Sequence, residues 1–164
     1  GGNLEMIATP ALANIRGLQN LRSIGDLFIL WGNGGLTDLG GLENIEFIGG
    51  NLVLWELNNL TDLTALRGIS SLGGNLDIQD SATLTNLDGL ENLKTIGGLR
   101  LRGNNTLATV DHLESIESVD GFFDIVQNPA LPTCAAQALL DAIGEGNITG
   151  DISIQDNDDD GLCE

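Results

Sequence analysis

The sequence predicts a mainly β fold, a parallel β-solenoid with coils of about 24 residues and a helix capping its C-terminal end. Three observations predict it. The residues Ile24, Ile48, Leu72, Ile96 and Val119 each precede a glycine-containing turn, at spacings of 24, 24, 24 and 23. After each such turn comes a short apolar-x-apolar triplet, as in Leu52/Leu54 and Leu76/Ile78. The pattern ends after Leu131, where an Ala- and Leu-rich stretch with helical spacing takes over.

Four further columns share the register of the first. Leu21, Ile45, Ile69, Leu93 and Ile116 form one, and Leu18, Leu42, Leu66, Leu90 and Leu113 another. Ile15, Leu39, Leu63, Leu87 and Val110 follow, then Leu12, Leu36, Leu60, Leu84 and Leu107. Steps of three suit neither a strand nor a long helix. They suit a coil that turns corners and sends one apolar side chain inward at each step. Such a unit cannot bury its apolar side alone and must stack on its copies.

The strand triplets read as Leu4/Met6, Leu27/Ile29, Leu52/Leu54, Leu76/Ile78, Leu99/Leu101, Phe123/Ile125 and Ile152/Ile154, each with one face buried. Gly25, Gly49-Gly50, Gly73-Gly74 and Gly97-Gly98 stand where the chain bends into a strand, places that favour positive φ. Asn104, Asn128 and Asn157 fall three residues after the second strand residue, where an inward amide can satisfy backbone groups of successive coils. Asn33 and Asn58 read as displaced from that row by one residue.

Pro132-Thr133 opens the C-terminal segment, with a helix expected over 134–143 from the spacing of Ala136, Leu139, Leu140 and Ile143. Gly144 and Gly146 stop it. Cys134 and Cys163 are the only cysteines, too few for a metal site, and are expected to form a disulfide adding about 3–4 kcal/mol by loop entropy. Residues 1–131 thus read as the solenoid, about five to six coils, and 132–164 as its cap, in one domain. The opening Gly1-Gly2-Asn3-Leu4 lies in mid-motif, so a removed leader or excision from a longer chain is expected.

In these residues the chain resembles the receptor L domain, the leucine-rich right-handed β-helix of insulin- and EGF-receptor ectodomains, with relatives in bacterial and fungal surface proteins. The matching residues are copies of Gly-Leu-x-x-Leu-x-x-Ile-Gly-Gly-x-Leu-x-Leu, such as Gly89-Leu90 through Leu101 with Asn104 after them, from about Asn3 to Leu131. The tail from Asn128 to Cys134, with the acidic run ending at Cys163, is similar to the ends of bacterial secreted members. The resemblance implies a right-handed solenoid and a recognition role outside the cytosol, where a disulfide also belongs.

With 24 acidic against 6 basic residues the formal net charge is −18, which repels phosphate backbones and anionic lipid. No nucleic-acid partner is expected. No run of eighteen apolar residues exists, so no membrane insertion is expected either. Catalysis has no constellation behind it. His112, the single histidine, reads as a surface imidazole; Lys94 is the single lysine, and no phosphate loop surrounds it. The chain is not expected to be an enzyme or to need a cofactor, Ca²⁺ aside.

Asp156, Asp158 and Asp160, with Gly161 in the sixth place, match the first half of a Ca²⁺ loop, whose carboxylates alternate along the chain. Asn59, Asn104 and Asn147 stand in Asn-x-Thr sequons that permit N-glycans in a eukaryotic source. The outward sheet face is read as the partner surface, with Phe28, Leu30, Trp31, Val53 and Trp55 as apolar anchors and Arg100 and Arg102 as carboxylate acceptors or as partners of Asp77 and Asp124. A protein or glycan partner is expected there. Head-to-tail self-association into a filament or array is the alternative, motivated by a first coil, Leu4/Met6, with no cap before it.

Overall fold

A computed structural model describes residues 2–163; Gly1 and Glu164, at the two ends of the sequence-derived units, lie outside the described residues. The chain is a parallel β-solenoid. Seven four-residue strands, Leu4–Ile7, Phe28–Trp31, Leu52–Trp55, Leu76–Gln79, Leu99–Arg102, Phe123–Val126 and Ile152–Gln155, form one sheet in sequence order. Every neighbouring pair is parallel and in register, one coil apart. A narrow second ladder runs along the stack, pairing Ser23–Ile24 with Phe47–Ile48 and Thr95–Ile96 with Ser118–Val119. Single bridges at Ile48–Leu72 and Ser71–Thr95 join the two pairs.

The five apolar columns fill the interior as their spacing predicts. From the second coil onward every member is buried, and only Leu12, Leu18 and Leu21 of the first coil remain partly exposed. The steps of three are reverse turns, in which the N–H of one column residue donates to the carbonyl of the previous one; Leu66 to Leu63 and Ile69 to Leu66 are examples. At the far end a helix, α1 (Thr133–Ile143), covers the stack with Ala136, Leu139, Leu140 and Ile143 inward. It begins one residue before the expected start, after Pro132, whose fixed φ suits that place. The disulfide forms: Cys134 and Cys163 are bonded, their Cα atoms 6.0 Å apart.

Two local expectations are corrected. The glycine pairs before the strands do not adopt positive φ. They are glycines because neighbouring coils touch there: a Cβ on Gly49 would strike the Gly25 carbonyl, and one on Gly73 the Gly49 carbonyl. The left-handed position lies instead just after each strand, occupied by Ala8, Gly32, Glu56, Asp80, Gly103, Gln127 and Asp156 with φ between 51° and 66°. The second strand is also shifted by one residue. Phe28 and Leu30, not Leu27 and Ile29, point inward, because Phe28 pairs with Leu4 and Leu52.

That shift returns Asn33 to the polar row. The row now reads Thr9, Asn33, Leu57, Ser81, Asn104, Asn128 and Asn157, two residues past each strand. Asn128 accepts the Asn104 N–H at 3.1 Å and donates to the Leu101 carbonyl at 2.9 Å; Asn157 repeats both contacts one coil on, with Asn128 and Ile125. Asn33 does the same for Thr9 and the Met6 carbonyl. Leu57, fully buried, interrupts the row, and Asn58 is exposed outside it.

Candidate interaction face

Inward and outward positions alternate along each strand, so the register defines two outward rows. One row runs Glu5, Ile29, Val53, Asp77, Arg100, Asp124, Ser153, and the other Ile7, Trp31, Trp55, Gln79, Arg102, Val126, Gln155. Of the expected anchors, Phe28 and Leu30 are therefore corrected to core residues, each fully buried. The physical cause is the unbroken apolar run Leu27 to Trp31, in which alternation alone cannot say which set faces in. Val53 is on the expected side but only 8 % exposed, so it offers a partner little.

Trp31 and Trp55 both point outward from the sheet. They are cross-strand neighbours, their rings edge to face with centroids 5.9 Å apart and planes at 77°. Trp31 is 40 % exposed, and Ile7, unforeseen in the sequence reading, continues the row at 44 %. Trp55 is half-buried and donates its indole N–H to Asp77 at 3.1 Å. Gln79 donates to the same Asp77 oxygen at 2.8 Å, so the buried carboxylate fixes the indole from one side. Strand register was the signal that could have found Ile7: counting 24 back from Trp31 lands on it.

The two arginines divide. Arg100 is committed within the sheet, its guanidinium 2.9 Å from Asp124, 3.9 Å from Asp77 and 4.4 Å above the Phe122 ring. Arg102 is exposed and donates to Gln127 at 3.1 Å. It borders a shallow polar depression of about 220 Å³ shared with Asp124, Gln127, Ser153 and Gln155. The face thus passes from an aromatic ridge to a polar hollow along the stack.

The acidic tail is tied to the start of the cap by backbone bonds. Asp156 holds the left-handed position after the last strand, Asp158 bridges to Pro132 through backbone bonds with Leu131 and Thr133, and Asp160 donates its N–H to Asp158 Oδ1. The three carboxylates do not gather: among the described residues the one group of metal-ligating side chains within 4.8 Å of one another is Asp88, Glu91 and His112. Of the three sequons, Asn104 is corrected. Its amide is buried and donates to Ile78 and Asn128, leaving no room for a glycan. Asn59 and Asn147 are exposed, their amides donating to the Gly34 and Ile143 carbonyls.

The sequence reading also missed His112. It is half-buried rather than a surface imidazole, and its Nδ1 is sealed from solvent without a hydrogen-bond partner, a state that costs about 1–3 kcal/mol. Beside it, side-chain hydrogen bonding with Glu91 raises the Asp88 carboxyl above its ordinary value, and the same contact lowers Glu91 below its own. Asp88 also lies 3.5 Å from Arg67, and Glu91 accepts the Gly89 N–H at 3.0 Å. A mixed-charge groove of about 680 Å³, lined by Arg16, Asp38, Glu43, Asp62, Ala65 and Arg67 among others, borders this cluster through Arg67.

Compared with known proteins, the chain matches no family model and no characterised relative. Among the described residues no helix is long and apolar enough to cross a membrane.

Proposed function

We propose that this chain is a non-catalytic recognition module of a secreted or cell-surface protein, a bacterial-type relative of the receptor L domain, which binds a protein or glycan through the sheet face. The observation that carries the reading is the outward row Ile7, Trp31, Trp55, three large apolar side chains adjacent on parallel strands of a protein of net charge −18, the first two exposed. An aromatic ridge next to polar hydrogen-bonding groups suits the apolar face of a sugar ring or the centre of a protein contact. Gln79 and Arg102 follow in the same row and supply donors. The disulfide is compatible with a location outside the cytosol.

Both tryptophans of the chain lie on this face, so intrinsic fluorescence reports directly on its occupancy. Binding to glycan and protein arrays is expected to fall at least about tenfold in Trp31→Ala, since an exposed aromatic anchor is typically a hot spot. Undiminished binding by the double variant Trp31→Ala, Trp55→Ala would refute the sheet face as the site.

A further inference from the structure

The residues equivalent to His112 in the four preceding coils are Gly17, Gly41, Ala65 and Gly89. An imidazole therefore stands in a row of the smallest side chains. Its surroundings differ as well. Two coils earlier the matching place is bordered by Gly40, Glu43 and Ala65 and is an open groove. Here Gly40 is replaced by Asp88 and Ala65 by His112, while Glu91 keeps the place of Glu43.

We propose that Asp88, Glu91 and His112 bind a divalent transition-metal ion, with Zn²⁺ the cation their donors fit best. Each residue presents a ligand atom within 4.8 Å of the other two. A tetrahedral Zn²⁺ needs them about 3.4 Å apart, a contraction within the reach of side-chain rotation. One imidazole and two carboxylates match Zn²⁺, whereas Ca²⁺ and Mg²⁺ favour oxygen alone. A dication also neutralises the two carboxylates at once.

The second observation is independent of the carboxylates. His112 Nδ1 is the only buried side-chain nitrogen or oxygen among the described residues without a hydrogen-bond partner. Coordination through it would satisfy that atom. The cluster is also held in place. Glu91 is oriented by the Gly89 N–H, and the Asp88 N–H donates to Asn86 Oδ1 at 3.0 Å. Gly89 itself has φ +115°, with no space for a Cβ against the Leu63 carbonyl, so the turn that presents both acids is fixed. Arg67 competes only weakly: its pair with Asp88 is solvent-exposed on both sides, and it contacts Oδ1 alone. Three protein ligands leave a fourth position for water or for a ligand atom of a partner.

The single histidine makes the test direct. The full chain, stripped with EDTA, is titrated with ZnCl₂ by calorimetry while the His112 ring nitrogens are followed by NMR. The expected result is one ion per chain, with ring resonances that shift in step with the heat. His112→Ala is expected to weaken binding on the order of 100-fold and Glu91→Gln about tenfold or more. His112→Ala has the side chain that the third coil already carries as Ala65, and circular dichroism checks that it folds. Asp158→Asn should bind as the parent does, and CaCl₂ should leave the ring signals in place. Ring signals that stay fixed under excess Zn²⁺, or parental affinity in His112→Ala, would overturn the proposal; in the second case the ion sits elsewhere.

Discussion

Asn128 reaches to the preceding coil to accept the backbone N–H of Asn104, 3.1 Å away, while its own amide donates to the Leu101 carbonyl of that same coil. Both contacts are buried. Asn128→Ala strands a donor and an acceptor in the interior, and a loss of about 3 kcal/mol or more is expected in urea unfolding. Asn105→Ala, on the exposed neighbour of the same turn, should stay within about 0.5 kcal/mol. Equal effects of the two would contradict the ladder.

Phe28 and Trp31 lie three residues apart in one strand and should respond in opposite ways. Phe28→Ala empties a fully buried site and is expected to cost about 3–5 kcal/mol. Trp31→Ala forfeits little more than the aromatic pair with Trp55, about 1 kcal/mol, and its loss should appear in partner binding. A larger stability loss in Trp31→Ala than in Phe28→Ala would restore the unshifted register.

Asp62 predicts a pH effect. The Thr64 hydroxyl first, and the Thr64 backbone N–H at 2.7 Å second, hold its carboxyl below the ordinary value of 3.8. A lowered folded value means that the group adds stability above 3.8 and loses it as pH falls through the depressed value. The stability difference between the parent and Thr64→Val should therefore be full at neutral pH and shrink in that acid window. A difference that persists unchanged through the acid limb argues against the bond.

The disulfide pins the acidic tail to the start of α1. Loop entropy assigns it about 3–4 kcal/mol. In Cys134→Ser, Cys163→Ser a fall in melting temperature of about 6–16 °C is expected by calorimetry, since each kcal/mol is worth about 2–4 °C at this chain length. Amide exchange should rise first around Asp158 and Thr133, whose mutual backbone bond the cross-link supports.

The repeat was legible because its constraint is collective: Ile15, Leu39, Leu63, Leu87 and Val110 must all face one interior, and one spacing satisfies them all. Phe28 shows where legibility failed. Within Leu27 to Trp31 every residue is apolar, so face assignment rested on local alternation when the partner strand decided it. His112 was missed for a different reason. Its neighbours Asp88 and Glu91 lie more than twenty positions earlier in the sequence, and only the stacking of one coil on the next brings them together. The Asn ladder was half legible: Asn104, Asn128 and Asn157 share a spacing, but Leu57 shows that the row can be broken and still pack.

The sheet face changes character along the stack, apolar at Ile7, Trp31 and Trp55, and from Gln79 onward polar at Gln79, Arg102 and Gln155 with Val126 between the last two. Parallel strands succeed one another at about 4.8 Å, so this is a graded scale with a marked zero. Identical rungs would let an elongated partner slide or reverse at no cost. Unequal rungs would give such a partner a heading and a single alignment, set by the order of the coils along the stack.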